Sequence, residues 1–429
     1  MAGVERMDGG PRSVVVVGAG IVGLSTAWFL QERGVDVTVV DRDGVGAGAS
    51  GGNAGWIAPG LALPLNSPAV LRYGLRSLID STAPLHIPLT ADMGLGMFLV
   101  RFAGHCRRSS WRRALRANAI LNEDCIEAFD VLIANGVDAP VTDAPITAVF
   151  DSTAAAQQFR EDLQELGKAG QTTDITVLTG AALREQVPLA SRAVRVGLSV
   201  NGQRFIDPAR FVAALGRAVV NRGATLRTLE VAEIANAANG IAVRPRRGTP
   251  LITEAAVIAT GAQLPQLAGR RLGVPVRAGR GYSFTVPVER PMPWPIYLPS
   301  VRVAATPHHG AMRVSGTMEF RHPHAPVMPP TGGGHCGLGR SAAGWRAMGR
   351  TQQRVGGRAT DRRRRPSGHR CGVTGRLRGR RTRHVGTGAR TGDRSAVGRA
   401  DYHRQATASS TRIRAVAQNG PLAPDSYTH

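Results

Sequence analysis

VVVVGAGIVGLSTAWFLQERGVDVTVVDR, residues Val14 to Arg42, decides how the chain begins. Four consecutive valines make a buried strand, Ile21 to Arg33 has helical periodicity, and Val37 to Val40 form a second strand that ends in Asp41. Gly18, Gly20 and Gly23 stand between the first strand and the helix. The first glycine permits a tight turn, the second lets a pyrophosphate approach the backbone, and the third lets the helix pack close to the strand. The helix N-terminus then offers free N–H groups and a favourable dipole to a diphosphate. Asp41 follows Gly23 by 18 residues, the place from which a carboxylate can accept ribose hydroxyls. Strand, glycine turn, helix, strand and acid in this order predict a dinucleotide-binding βαβ unit. Val17, Ala19, Ile21 and Val22 complete the turn, and Arg42 follows the acid.

This unit alone does not separate NAD from FAD. The next loop, GAGASGGNAGWIAP (46–59), places Ser50, Asn53 and the backbone of Ala54 and Gly55 where they could reach a pyrophosphate and a flavin ring. Flexible glycine loops also occur without any ligand. Downstream, VIATGA (257–262) is a strand running into Thr260-Gly261, either a return of the sheet to the cofactor or an ordinary strand end. Tyr282, in GRGYSF, could give its hydroxyl to a substrate carboxylate or, as buried tyrosines more often do, to a backbone carbonyl. From Asp207 to Gly223 the pattern is a helix with Asp207 as N-cap, Pro208 in the first position and an apolar stripe of Phe211, Val212, Leu215 and Val219.

The net charge of +24 would suggest a nucleic-acid or anionic partner if it were spread evenly. It is not: residues 330–429 hold 21 arginines, no lysine and 4 acidic residues, a net +17, which leaves +7 for the rest. A nucleic-acid partner is therefore not expected. Cys106, Cys125, Cys336 and Cys371 have neither CxxC spacing nor the density of a disulfide scaffold, so free thiols and no metal site are expected. No segment has the length of a membrane span, and a cytoplasmic protein is expected. Residues 97–116 combine Phe98, Leu99, Phe102 and Trp111 with six arginines; a solvated basic face over a core stripe is the simpler reading, peripheral docking on the inner membrane the alternative. Between 76 and 140, apolar positions including Leu115, Ile120, Leu121, Ile126 and Phe129 carry helical spacing.

With the loop and strands in hand, the chain resembles the FAD-dependent D-amino acid dehydrogenases of the D-amino acid oxidase superfamily. NAG-x-I-x-P at 53–59 is the specific element, and NGQRFIDPARF, EVAEI, VIATGAQ, GRGYSF and VSGTMEF follow in the family's order to about residue 329. The resemblance implies an α/β fold: a Rossmann-like FAD domain from 13–75 and 201–265, and a substrate domain with a mixed sheet from 76–200 and 266–329. It implies FAD held by Gly18, Gly20, Gly23, Asp41, Ser50, Asn53 and Ala54, with Val231 lending backbone to the adenine. It also implies an amino-acid substrate oxidised to an imino acid, then a 2-oxo acid; the electron acceptor is not indicated. A glycine or sarcosine oxidase is the nearest alternative, an inactive pseudoenzyme with a basic, nucleic-acid-binding tail the more distant one.

After Pro330 aliphatic periodicity gives way to glycine and arginine, a composition that cannot bury enough apolar surface to offset chain entropy, so disorder is expected. The family's WVG-x-RP-x-TPDGLP-x-IG block, whose arginine binds the substrate carboxylate, and its GHG-x-x-G turn are absent. Codon degeneracy offers an explanation. Read one base out of frame, Arg354–Thr360 permits EWVGARP, Arg364–Arg370 permits DGLPVIG, Leu377–Gly386 permits YVAGGHGMWG and Arg390–Asp401 permits GPATGLLLAEQI. Four family blocks in order in one shifted frame point to a frameshift between about Phe320 and Thr331.

Overall fold

A computed structural model describes residues 9–77, 85–86, 92–269 and 272–320. The expectations for the tail, for Cys336 and Cys371, and for the shifted-frame blocks lie outside the described residues. The chain opens with β1 (Ser13–Val17), α1 (Ile21–Gln31) and β2 (Asp36–Asp41), then β3 (Trp56–Ile57), α2 (Pro68–Ser77) and β4 (Leu85–His86). A helical stretch follows: α3 (Met93–His105), α4 (Arg108–Asn122) and α5 (Cys125–Ala134). Next come β5 (Val141–Asp143), β6 (Ile146–Phe150), α6 (Thr153–Lys168), β7 (Ile175–Leu178), α7 (Gly180–Gln186), β8 (Val196–Val200) and β9 (Arg204–Ile206). The described part ends with α8 (Pro208–Asn221), β10 (Thr225–Thr228), β11 (Val231–Ala237), β12 (Gly240–Pro245), β13 (Leu251–Thr253), β14 (Ala255–Ile258), α9 (Leu264–Ala268), β15 (Gly279–Pro287), β16 (Ile296–Leu298), β17 (Val303–His308) and β18 (Ala311–Phe320).

Two sheets carry the architecture. The first is wholly parallel, ordered β10-β2-β1-β14, and β1 is central, so Val14 to Val17 are all buried. A strand covered on both faces needs an unbroken apolar run rather than alternation. The second is a mixed eight-stranded sheet, β15-β18-β17-β16-β6-β8-β7 with β4 on β18, in which β16 runs parallel to β6 and most other pairs are antiparallel. This mixed α/β organisation is the expected fold class.

The helix expected from Asp207 forms as read. Asp207 accepts from the Ala209 and Arg210 amides, and Gly223 ends α8 at φ 100°, a conformation that costs a side-chain-bearing residue. The four stripe residues are buried, Phe211 against the Phe129 ring, and α8 packs on α1, where Leu24, Ala27 and Trp28 are buried and the Arg222 guanidinium lies 4.4 Å over the Trp28 ring.

The stripe expected further upstream needs correction. Ile120 and Leu121 are 60% and 79% exposed, because α4 buries Trp111, Leu115 and Ala119, spaced four apart, the first two against Leu166 of α6. The basic stretch 97–116 divides between α3 and α4, and one of its arginines, Arg112, pairs with Glu165 at 2.6 Å.

Hydrogen bonds from Arg112 and Lys168 pull the Glu165 carboxyl down to about 2. A depressed carboxyl contributes stability that is complete above its unfolded value and is lost as pH falls through the folded one. Glu165→Gln should therefore flatten the acid-side decline in stability between about pH 4.5 and 2, read as unfolding midpoints across that range.

Candidate functional site

The glycine turn is built by the parallel sheet. Gly18, at φ 117°, donates to Val40 O, and a side chain there would place Cβ 2.4 Å from Ala259 O. Gly23 is equally closed, since its Cβ would meet Gly18 O at 1.9 Å. At Gly20 the backbone is extended, and a Cβ would approach only Ser50 Oγ, at 3.0 Å. Two glycines thus serve packing between strand and helix, and the third leaves space in front of the helix. Asp41 stands beneath the turn: one oxygen accepts the Ala19 N–H at 2.8 Å, the other the N–H groups of Asp43 and Gly44. Arg42 pairs with Asp43 and reaches Gln263 Oε1, and the Asp43 contact raises its pKa. Val17 and Ala19 are buried, Ile21 is half-buried, and Val22 faces solvent.

Residues 49–57 connect this turn to the larger sheet. Ser50 Oγ accepts the Ile21 N–H, so it occupies one of the amides that a helix start leaves unpaired. Asn53 closes the loop upon itself, donating to Ser50 O and accepting the Gly55 N–H. Gly55 is buried at φ 79°, where Cβ would lie 2.2 Å from Ile206 O, so only glycine fits. From the other side, Ser283 donates to Gly52 O, Arg313 to Gly51 O, and Thr306 to Ala54 O while accepting from Trp56 Nε1. Thr306 is 2% exposed. Thr306→Val keeps its shape but strands two part-buried polar partners, Ala54 O and Trp56 Nε1, at a combined cost of about 1–3 kcal/mol. The expected result is a lower denaturant midpoint.

Arg313, Ser283, Thr306 and Gln263 are missing from the sequence reading. GRGYSF drew attention to Tyr282, whose backbone pairs with Gly316 but whose side chain lies outside the described residues. A single arginine on an alternating strand gives no local signal of its role. Thr260 begins the turn after β14 and keeps its hydroxyl buried without a partner, while Gly261 takes φ 55°. Val231 starts β11 and packs with Val15, Val17, Val40 and Val243.

Beside Arg313 lies a polar group that the sequence analysis also missed. His308 and His309, at the turn between β17 and β18, meet Asp207, the N-cap of α8, with His309 Nε2 3.1 Å from Asp207 Oδ2. Burial works to raise the Asp207 carboxyl, but the Arg210 N–H, His309 and His308 together hold it below its usual value. Burial lowers His308, and it also lowers Arg313.

The parallel sheet with its glycine turn, joined to a mixed sheet, defines a dinucleotide-binding α/β protein. Residues 13–388 match the model of the FAD dependent oxidoreductase family, to which the chain belongs, and its cofactor is FAD. The match runs beyond residue 329, where the resemblance read from the motifs stops. Among solved structures, glycine oxidase from Bacillus cereus is 21% identical with a TM-score of 0.55, covering 77% of both chains. Glycine oxidase from Geobacillus kaustophilus is 20% identical, TM-score 0.54, over 77% of this chain and 76% of that one. FAD-bound L-alpha-glycerophosphate oxidase from Mycoplasma pneumoniae is 19% identical, TM-score 0.52, over 72% and 71%. At these identities the likeness is one of fold.

The residues present fit the cofactor. The space before Gly20 is what a pyrophosphate needs, and Thr260 Oγ1 and Arg313 Nε, buried without a protein partner, are open to a ligand's hydrogen bonds. Among the described residues, no helix is long and apolar enough to cross a membrane.

Proposed function

We propose that the chain is built for the oxidative deamination of D-amino acids to 2-oxo acids and ammonia. The supporting observation is the placement of 50–57. The segment that carries the family resemblance is held to α1 through Ser50 and to the mixed sheet through Gly51, Gly52, Ala54 and Trp56, so it joins the nucleotide side to the side left for substrate.

In this reading the turn Val17 to Gly23 receives the pyrophosphate, with Gly20 giving closest approach and α1 its dipole. Asp41 and Arg42 face the ribose, and the backbone of Val231 the adenine. Ser50, Asn53, Ala54 and Gly55 line the flavin side, closed by Thr260 and Gly261. Asp41 already accepts three N–H groups and keeps lone-pair capacity for a hydroxyl. FAD supplies the acceptor for the hydride released from the substrate Cα. The protein orients the amino acid, and water hydrolyses the imino acid product.

The test is turnover of D-alanine, D-proline, glycine, sarcosine and L-alanine with a dye acceptor and with oxygen, on frame-corrected protein reconstituted with FAD. D-amino acids oxidised through the dye support the proposal. Preference for glycine or sarcosine with oxygen would replace it with an oxidase of the same family.

A further inference from the structure

We propose that Asp207, His308 and His309 bind one divalent transition-metal ion, of the class of Zn²⁺, Ni²⁺ and Cu²⁺. Each residue offers one ligand atom, and these atoms all lie within 4.8 Å of one another. Ligands about 2.0–2.2 Å from a tetrahedral zinc sit about 3.3 Å apart. The pair Asp207 Oδ2 and His309 Nε2, at 3.1 Å, already has that spacing.

The division of labour at Asp207 favours a second occupant. Oδ1 takes both α8 amides, at 3.0 and 3.2 Å, which fixes the carboxylate and leaves Oδ2 turned towards the histidines. Ligand carboxylates held by a second hydrogen bond in this way are a regular feature of metal sites. The two imidazoles are adjacent in the chain, with ring centroids 4.5 Å apart, at a turn where His309 takes φ 49° and Gly310 φ 76°. His309 is 67% exposed in its side chain, which gives an ion a path and a water the remaining position.

Charge selects the class of ion. Arg313 and the positive end of α8 stand near the cluster, and a single carboxylate opposes them. A hard cation bound through oxygen charge alone would be poorly held here. A borderline ion that gains most of its affinity from imidazole nitrogen is the better match. Such an ion would join the β17–β18 turn to the start of α8, one residue beyond the Ile206 amide that donates to Gly55 O in the cofactor loop. The inference stands apart from the substrate reading.

Calorimetric titration of tag-free, chelator-stripped full chain with ZnCl₂ tests it, alongside Asp207→Asn, His308→Gln and His309→Gln. Asparagine preserves the helix cap, and unfolding temperatures without metal show whether each variant is folded. Histidines elsewhere in the chain remain in all four proteins, so a shared loss assigns the site. One equivalent of Zn²⁺ is expected in the wild type, weakened about tenfold or more in each variant, and Zn²⁺ should raise the unfolding temperature of the wild type alone. Equal Zn²⁺ uptake by all four proteins, no uptake by the wild type, or wild-type affinity in any one variant overturns the proposal.

Discussion

Expressed as written, the chain should purify with little or no FAD and show no measurable D-amino acid dehydrogenase activity, and correcting one base near codon 330 should restore both. This follows from the frameshift proposed between about Phe320 and Thr331. In the family the segment beyond supplies a carboxylate-binding arginine and the GHG-x-x-G turn that starts the last helix under the flavin. The arginine is a bidentate, charge-assisted clamp that no point charge reproduces. Loss of that helix would also uncover apolar surface, at about 25 cal/mol per Å², enough to threaten a domain whose net stability is small. The family match ends at residue 388, inside the arginine-rich tail. Two readings of residues after 329 therefore compete: family sequence as written, or family sequence one base out of frame. Flavin absorbance and dye-coupled turnover of the two versions decide between them. Robust turnover by the uncorrected chain would mean that the tail as written suffices or is not needed. A colourless chain that binds DNA in a salt-sensitive manner would instead favour the pseudoenzyme.

In a frame-corrected protein, Gly20→Val should lower FAD affinity by about a hundredfold, equivalent to about 3 kcal/mol, and leave the fold intact. The backbone at Gly20 is extended, at φ −80° and ψ 179°, and the only near neighbour of a new Cβ is the Ser50 hydroxyl. The protein itself must yield only at that hydroxyl, 3.0 Å from the new Cβ, whereas the bulk of valine stands where a pyrophosphate bound at this turn approaches. Gly23→Ala should behave differently. Its Cβ would lie 1.9 Å from Gly18 O, so strand and helix must separate, and instability rather than selective cofactor loss is expected. Flavin fluorescence titration and denaturant unfolding, run on both variants, separate the two effects. Full flavin absorbance in Gly20→Val would show that the cofactor does not use this turn.

How much was legible follows from the range of the interactions. The βαβ unit and α8 are written in local patterns: a valine run, glycines at fixed offsets, a carboxylate and proline at a helix start, a glycine at its end. Each requirement is met within a few residues, so the sequence displays it directly. The glycine loop itself suggests Asn53 and the backbone of Gly55 as cofactor contacts, and the resemblance names Asn53 of the two; in the structure Asn53 closes the loop and Gly55 admits the Ile206 carbonyl. Ile120 and Leu121 show the opposite case, since helical spacing names a face but not which face finds a neighbour, and α6 covers the other one.

Sequence alone determined the fold class and the place of the glycine turn between β1 and α1, because short-range geometry and alternation carry that information. Only the tertiary structure brought Arg313 to Gly51 and His309 to Asp207, across separations of 262 and 102 residues. Pairs so far apart leave no periodicity in the chain; they exist because the mixed sheet sets its β17–β18 turn against the start of α8 and its β18 strand against the cofactor loop.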